Sequence, residues 1–336
     1  MKNKIIILFF TVIFSFSLCG CNVIRETTEN AGLSIIATSF PGYDFARAVI
    51  GEGNTDIELK MLLSPGEETH SFDPTPLDMA EIENCDLFIY VGGESDAWIE
   101  EILATPEGER ISGFPLIQCV ELREEEEKEG MMEEKDGEHS HKHQEEDEHS
   151  SAESDLPEEE SEYDEHIWTS PVNAMAMVNQ LTSEICKLDP ENKERYQNNA
   201  DDYLSELFQL DTAFRNVCAG SKRNTVVFGD RFPFLYFVKE YGLDYYAAFP
   251  GCSSETEPNA ATVAFLIDKV RAEDIPIIFK ESLSNGNIAE AIAEECKAKV
   301  RNFYSCHNIS ADDFNNGETY VSLMKKNLAA LEEALN

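Results

Sequence analysis

The stretch THSFDPTPLDMAEIENCDLFIYVGGESDAWIEEIL, residues 69–103, predicts a helix, a buried strand and a second helix in direct succession. Thr75 is a favourable cap residue, Pro76 suits the first helical position, and MAEIENC continues the helix. The apolar run LFIYVGG at 87–93 is typical of a buried strand, and DAWIEEIL follows it as a helix. This alternation indicates a parallel sheet that is flanked by helices.

The same alternation extends to both sides of this stretch and appears a second time towards the C-terminus. In the first unit we expect strands at 34–39, 56–63, 87–93 and 117–122. In the second unit the expected strands are NTVVFGD, DYYAAF, IPIIFKE and KVRNFYS. The helices of the second unit are expected near 232–241, 259–272 and 287–297, with TYVSLMKKNLAALEEALN as a closing amphipathic helix.

A long helix is predicted between the two units. The pair Ser170-Pro171 favours the start of one helix, the pair Asp189-Pro190 interrupts it, and residues 191–219 are typical of a second, continuous helix. The apolar face of this second helix is marked, at spacings of three and four residues, by Tyr203, Leu204, Leu207, Leu210 and Phe214. About 29 residues at about 1.5 Å each span about 43 Å, which is long enough to connect two domains.

The predicted architecture is therefore α/β, with two βα lobes that each contain a mainly parallel sheet and are joined by one long helix. A chain of 336 residues is long enough for two such lobes, each with its own core. We expect the first lobe at residues 33–170, the helical connection at 171–221 and the second lobe at 222–336.

The N-terminus predicts export. Lys2 and Lys4 precede an apolar run of fourteen residues from Ile5 to Leu18, which is short for a membrane span and has the proportions of a secretory signal. The run ends in Leu18-Cys19-Gly20-Cys21, which resembles the lipobox of bacterial lipoproteins. We expect residues 1–20 to be a signal peptide and Cys21 to carry the lipid, with 21–32 as a tether on the extracytoplasmic face of the membrane. An ordinary signal peptide or an uncleaved anchor is the alternative.

The charge of the chain argues against a nucleic-acid partner. The formal net charge is −40, from 66 acidic and 26 basic residues, whereas phosphate binding needs a basic surface. Residues 124–165 alone contain 21 acidic residues against three lysines, and a segment of this composition is predicted to be disordered. It also contains four of the seven histidines, His139, His141, His143 and His149. These histidines are candidates for weak metal collection, and a merely polar tether is the alternative.

Seven cysteines remain beyond the leader, and none of them forms a CxxC pair. This spacing does not favour a structural zinc cluster made of thiolates.

The other three histidines have related positions in the predicted topology. His70 follows the strand at 56–63, His166 immediately precedes a helix, and His307 follows the last strand. Ligands of α/β sheets collect at the carboxyl ends of strands, so these imidazoles are candidate metal ligands. Each of them taken alone could equally be a core or a surface residue.

Several motifs resemble those of the metal-binding solute receptors of ABC importers, in the cluster that binds zinc or manganese. The opening stretch resembles the first-ligand motif of that family, and DEHIWTSPVNA resembles its second. RFPFLYFVKEYGL and GETYVSLMKKNL are similar to the third region and to the closing helix, so the resemblance covers residues 33–336. It implies two lobes joined by a rigid helix, with the metal in the cleft between them. It also implies that an acidic, histidine-rich loop before the second histidine is mainly a property of zinc receptors.

The sequence departs from the family at the third ligand. The family has a histidine or glutamate where this chain has Arg231, which cannot coordinate a metal, and the preceding Asp230 is the substitute that the resemblance suggests. Asp230 could also simply pair with an arginine. The family usually has an acid at the position of His307, and Glu281 matches a family glutamate that we expect beside the ligands rather than among them. The implied ligand set is His70, His166, His307 and Asp230.

These ligands favour zinc over manganese, because imidazole nitrogen suits zinc and a manganese site is expected to use more oxygen ligands. The resemblance implies a receptor that captures zinc and delivers it to an ABC permease and its ATPase. A manganese receptor, a surface metal buffer or adhesin, and a zinc hydrolase are the alternatives. Neither H-E-x-x-H nor G-x-S-x-G occurs in the sequence, so an enzyme is not expected.

The Cys21→Ala substitution is predicted to prevent lipidation and to move the protein into the soluble or the unprocessed fraction, because no thiol is left to carry the lipid. Fractionation followed by mass spectrometry of the N-terminus measures this. An unmodified Cys21 at the N-terminus of the mature parent protein would contradict the prediction.

Overall fold

The computed structural model describes residues 32–53, 56–67, 72–105, 108–131, 163–251 and 258–336. Their strands form two four-stranded sheets, in which every pairing is parallel. The strands are β1 (Leu33–Ala37), β2 (Ile57–Met61), β3 (Leu87–Tyr90), β4 (Ser112–Pro115), β5 (Thr225–Arg231), β6 (Asp244–Phe249), β7 (Ile277–Glu281) and β8 (Lys299–Phe303). The orders β2-β1-β3-β4 and β6-β5-β7-β8 are the same arrangement used twice. The prediction of two parallel α/β lobes is confirmed.

The helices of the described residues connect and cover these strands. They are α1 (Phe40–Ile50), α2 (Pro76–Ile82), α3 (Ala97–Leu103), α4 (Pro171–Leu188), α5 (Lys193–Gly220), α6 (Leu235–Tyr241), α7 (Ala260–Ala272), α8 (Asn287–Cys296), α9 (Ala311–Asn315) and α10 (Tyr320–Leu335). The N-termini of two helices, α2 and α4, are capped by the residues expected from the sequence. Thr75 and Asp78 form a reciprocal capping box at α2, and the Ser170 hydroxyl accepts a hydrogen bond from the backbone N–H of Asn173 at α4.

The long helix predicted between the lobes is α5. It contacts α1 and α4, and it also contacts α6 and α10 of the second lobe. Tyr203, Leu207, Leu210 and Phe214 are buried along its predicted apolar face, and Leu204 is half-buried. Because both lobes pack on this helix, one hydrophobic core runs through the whole described structure and includes Phe40 of the first lobe and Phe303 of the second.

Each sheet also has an outer core of its own. In the first lobe, residues of α2 and α3 cover Ile36 and Phe88 on the side away from α5. In the second lobe, α7 and α8 cover Val227 and Ile278 in the same way. Each lobe is therefore a sheet between two helical layers, and the inner layer is shared.

The fourth strand lies earlier in the sequence than predicted. The expected strand at 117–122 was wrong, because Ser112–Pro115 pairs with β3 and residues Leu116–Cys119 form a short 3-10 helix. The sequence SGFP has low strand propensity. It is tolerated because β4 is an edge strand, where proline does not interrupt a ladder on both sides.

The acidic segment begins and ends in ordered structure, in contrast to the prediction of disorder over all of 124–165. Glu124 forms an antiparallel bridge with Tyr163, and the Arg123 carbonyl accepts a hydrogen bond from the Asp164 N–H (3.0 Å). Residues 123–131, called the strap here, then lie on the second lobe. Its contacts there include the ion pair of Lys128 with Asp244, the ion pair of Glu126 with Lys239, and the packing of Met131 on the shared core. Oppositely charged partners on the second lobe explain why this acidic stretch is ordered.

Several predicted features lie outside the described residues. They are the leader, Cys21, His70 and the four histidines of the acidic segment. Among the helices that are described, none combines the length and the apolar character needed to cross a membrane. The six cysteines within the described residues are all free thiols.

The Asn327→Ala substitution is predicted to lower the free energy of unfolding by about 2–4 kcal/mol, because it leaves buried backbone groups unpaired. Asn327 is fully buried in α10, and its amide accepts from the Tyr304 N–H (2.7 Å) and donates to the Tyr304 carbonyl (2.8 Å) just after β8. Urea denaturation measures the loss.

The matched control is Asn179→Ala, which removes an amide that bonds the Met175 carbonyl on the exposed face of α4. It should change the free energy of unfolding by less than about 0.5 kcal/mol. Equal losses in the two variants would contradict the role assigned to Asn327.

Candidate metal site

A cavity of about 130 Å³ lies between the lobes, at the carboxyl ends of β5 and β7. In each lobe the strand order changes direction around the first strand, and ligands of such sheets bind outside the strand ends at that point. His166 and His307 both line this cavity, together with Glu281, which ends β7. Two of the three predicted imidazoles are thus brought together.

His166 is oriented by an acid two residues before it. Its Nδ1 lies 3.1 Å from Oδ1 of Asp164, and its backbone N–H donates to the same oxygen at 2.7 Å. Both side chains are almost completely buried. In the neutral tautomer that keeps the proton on Nδ1, the lone pair is on Nε2, so the contact selects Nε2 as the coordinating atom.

His307 follows β8 in a turn that is held from both lobes. Its backbone N–H donates to Oγ of Ser305 (3.3 Å), and its carbonyl accepts from the N–H of Phe40 at the start of α1 (3.2 Å). The rings of His166 and His307 are perpendicular, with their centroids 5.2 Å apart. With zinc–nitrogen bonds of about 2.0–2.1 Å, two imidazoles on one tetrahedral ion have centroids about 5 Å apart. The pair is therefore spaced for a single ion.

Glu281 is fixed beside this pair by hydrogen bonds. Its Oε2 accepts from the Leu283 N–H (2.6 Å), and its Oε1 accepts from the hydroxyls of Ser282 (2.8 Å) and Ser305 (3.1 Å). Because Ser305 also accepts from the N–H of His307, the carboxylate is connected to the His307 turn. This geometry suits the expected role beside the ligands.

Asp230 and Arg231 end β5 at the edge of the cavity, where the pairing with β6 is irregular. Arg231 is among the lining residues, whereas Asp230 is buried and is not one of them. Oδ1 of Asp230 accepts from the Arg231 N–H (3.0 Å), but Oδ2 has no hydrogen-bond partner among the residues described. A buried carboxylate oxygen without a donor is unfavourable unless a cation or another donor compensates it.

The segment that leads to His70 is anchored next to the cavity, although residues 68–71 lie outside the described residues. Nδ2 of Asn308 donates to the carbonyls of Ser64 and Glu67, at 2.9 Å each, and Glu67 lines the cavity. Within the described ranges, no group of three or more His, Cys, Asp or Glu side chains is close enough to hold a metal ion. Asp230 is thus not close enough to His166 and His307 to form a group of three ligands in this structure, and the described part of the candidate site is the pair of imidazoles.

Trp168 lies beside the imidazole pair and has polar contacts as well as packing contacts. Its indole N–H donates to the Ser305 carbonyl (2.8 Å), and its ring centroid lies 4.7 Å from that of His307 and 5.6 Å from that of His166. Trp98, by contrast, packs against Phe88 and other aromatic rings of the first lobe. The tryptophan two residues after His166 and the aspartate two residues before it were the features of the sequence that could have indicated these contacts.

A second group of acids lies on the first-lobe side of His307. Asp96, Glu165 and His307 line a small cavity of about 20 Å³. Burial raises the pKa of Asp96 to about 6, and the nearby Glu165 carboxylate adds to this, while hydrogen bonds from Val91 and Gly92 act in the opposite direction. These carboxylates add negative charge close to the imidazole pair.

Comparison with known proteins assigns the family. The family model described as "Zinc-uptake complex component A periplasmic" matches residues 35–334. The chain belongs to this family. It is 30% identical to the high-affinity zinc uptake system protein ZnuA of Bacillus subtilis (strain 168), over 94% of this chain and 92% of that protein.

Two further relatives come from Streptococcus pneumoniae. The zinc-binding lipoprotein AdcA of strain R6 is 28% identical over 94% of this chain, which spans 59% of the length of AdcA. The crystal structure of the Zn(II)-bound ZnuA-like domain of AdcA has a TM-score of 0.69 at 26% identity, and the match covers 90% of this chain and 99% of that domain. The similarity therefore extends over both lobes.

Replacing residues 132–162 by a short Gly-Ser linker is predicted to leave the melting temperature unchanged, because the strap and Tyr163 are kept. Removing residues 124–162 instead also removes the bridge of Glu124 and most of the strap. We expect this larger deletion to lower the melting temperature by about 2–4 °C, as for a loss of about 1 kcal/mol. Differential scanning calorimetry of both variants measures the difference, and equal melting temperatures would contradict the stabilising role of the strap.

Proposed function

We propose that this chain captures zinc outside the cytoplasmic membrane and delivers it to an ABC-type permease and its ATPase. The observation that carries the proposal is the pair His166 and His307, two buried imidazoles on either side of the lobe boundary with centroids 5.2 Å apart. Membership of a zinc-uptake family supports the same conclusion. The Bacillus and Streptococcus relatives are named as zinc uptake and zinc-binding proteins.

The proposed ligands are His70, His166, His307 and Asp230. Three imidazoles and one carboxylate give closed four-coordination, which is the geometry that zinc prefers and manganese does not. The oxygen of Asp230 that lacks a donor among the described residues supports its inclusion. Glu281 acts indirectly in this proposal, because its carboxylate is hydrogen-bonded to Ser305 in the His307 turn.

The chain is proposed to be a receptor and not an enzyme. A hydrolytic zinc keeps one coordination position open for water, whereas four protein ligands leave none. The family consists of components of an uptake complex, which agrees with capture and release of the ion rather than chemistry on a substrate.

The proposal also includes the attachment of the receptor to the membrane and the weak binding of zinc by the acidic segment. Cys21 is proposed to carry a lipid that holds the receptor at the extracytoplasmic face of the membrane. His139, His141, His143 and His149 are proposed to bind zinc weakly. The negative charge of the acidic segment around them would attract cations at low ionic strength.

The His307→Ala substitution is predicted to weaken zinc binding at least about tenfold, or about 1.4 kcal/mol, because the ion loses a protein ligand. His70→Ala and His166→Ala should behave in the same way, and Asp230→Ala should be milder if water replaces the carboxylate. Affinity should also fall at acidic pH, because a protonated imidazole cannot coordinate. Competitive titration against a chelator of known affinity measures each variant.

His149→Ala is the matched control, because it removes an imidazole of the acidic segment and should leave the tight site unchanged. The parent should retain one zinc per chain after dialysis and should prefer zinc to manganese. An unchanged affinity in His307→Ala would show that His307 is not a ligand.

A further inference from the structure

Trp168 connects the two segments that carry the described imidazoles. It lies two residues after His166 and is fully buried in the shared core. Its indole N–H donates across the lobe boundary to the carbonyl of Ser305, two residues before His307. The same ring is in contact distance of both imidazoles, with centroid separations of 4.7 Å and 5.6 Å.

The backbone of Trp168 is held as well. Its carbonyl accepts from the hydroxyl of Tyr320 (2.7 Å), which is completely buried at the start of α10. The backbone N–H of Tyr320 donates in turn to Oδ2 of Asp44 in α1 (2.8 Å). The backbone of Trp168 is thus tied through Tyr320 to the closing helix and to α1.

The turn that receives this hydrogen bond is not a relaxed one. Cys306, between Ser305 and His307, has a φ of 57°, which is unfavourable for a residue with a side chain. Such a conformation persists only where neighbouring contacts impose it. Three hydrogen bonds provide these contacts. The Trp168 indole donates to the Ser305 carbonyl, the His307 N–H donates to the Ser305 hydroxyl, and the Phe40 N–H donates to the His307 carbonyl.

We propose that Trp168 is a positioning residue, which holds His307 opposite His166 before the ion arrives; this rests on the proposed function in zinc capture. Packing alone does not require the indole, since a phenylalanine could fill much of the space but could not reach the Ser305 carbonyl. Without that donor the buried carbonyl is left unpaired and the strained turn can relax. Zinc binding would then have to order His307, and the free energy that this costs would lower the zinc affinity.

The test compares Trp168→Phe with the parent in the apo and zinc-bound states. We expect the zinc affinity to fall about tenfold or more, as for other residues that orient metal ligands. In the apo protein, amide hydrogen exchange of residues 304–308 should become faster. Tyr320→Phe removes only the hydroxyl that donates to the Trp168 carbonyl, and it should lower the zinc affinity by a smaller factor than Trp168→Phe does.

Tyr203→Phe is the control for a simple loss of core stability. It removes a buried hydroxyl that donates to the same Asp44 carboxylate, at 3.1 Å, without touching Trp168. It should lower the melting temperature but leave the zinc affinity within about twofold and the exchange at 304–308 unchanged.

A zinc affinity within about twofold of the parent in both Trp168→Phe and Tyr320→Phe would overturn the proposal. An equal loss in Tyr203→Phe would also overturn it, because general destabilisation would then explain the effect. If the parent itself binds no zinc, the proposed function fails. Exchange at residues 304–308 in the apo proteins still decides whether Trp168 fixes the His307 turn.

Discussion

The hydrogen bond from the indole of Trp168 to the carbonyl of Ser305 is the contact around which the rest of the site is arranged. It joins the segment before α4 to the segment after β8, where the two described imidazoles are found. On either side of it, Phe40 bonds to His307, and Asn308 bonds to Ser64 and Glu67. One short turn of the second lobe is therefore tied to three separate segments of the first.

These ties are possible because the two lobes use the same strand order and share one inner layer of helices. A parallel sheet of this order exposes the carboxyl ends of its first and third strands at one point. In the second lobe those ends carry Asp230, Arg231 and Glu281. Both sheets pack on an inner helical layer that includes the 28 residues of α5, and the ends of β5 and β7 lie at the cavity between the lobes.

The elements that could be predicted from the sequence are those with local causes. The start of α2 depends on Thr75 and Asp78, three residues apart, and the apolar face of α5 repeats every three or four residues. The strand β4 was missed because its pairing with β3, and not its own composition, makes SGFP extended. The order of residues 123–131 was missed for a similar reason, since their partners Asp244 and Lys239 are more than a hundred positions away.

The same distinction between local and long-range causes applies to the candidate site. His166, His307 and Glu281 could be proposed from motifs, and they line one cavity. The bond between Trp168 and Ser305 spans 137 positions, so no spacing in the sequence indicates it. The oxygen of Asp230 that lacks a described donor, with Arg231 lining the cavity beside it, is equally a property of the folded chain.

X-ray absorption spectroscopy of the zinc-loaded protein without residues 132–162 identifies the atoms bound to the ion and therefore tests the proposed ligand set. Three imidazoles and one carboxylate should give four nitrogen or oxygen neighbours at about 2.0–2.1 Å, with the outer-shell scattering of three imidazole rings. A sulfur neighbour at about 2.3 Å, or a spectrum without imidazole scattering, would contradict it.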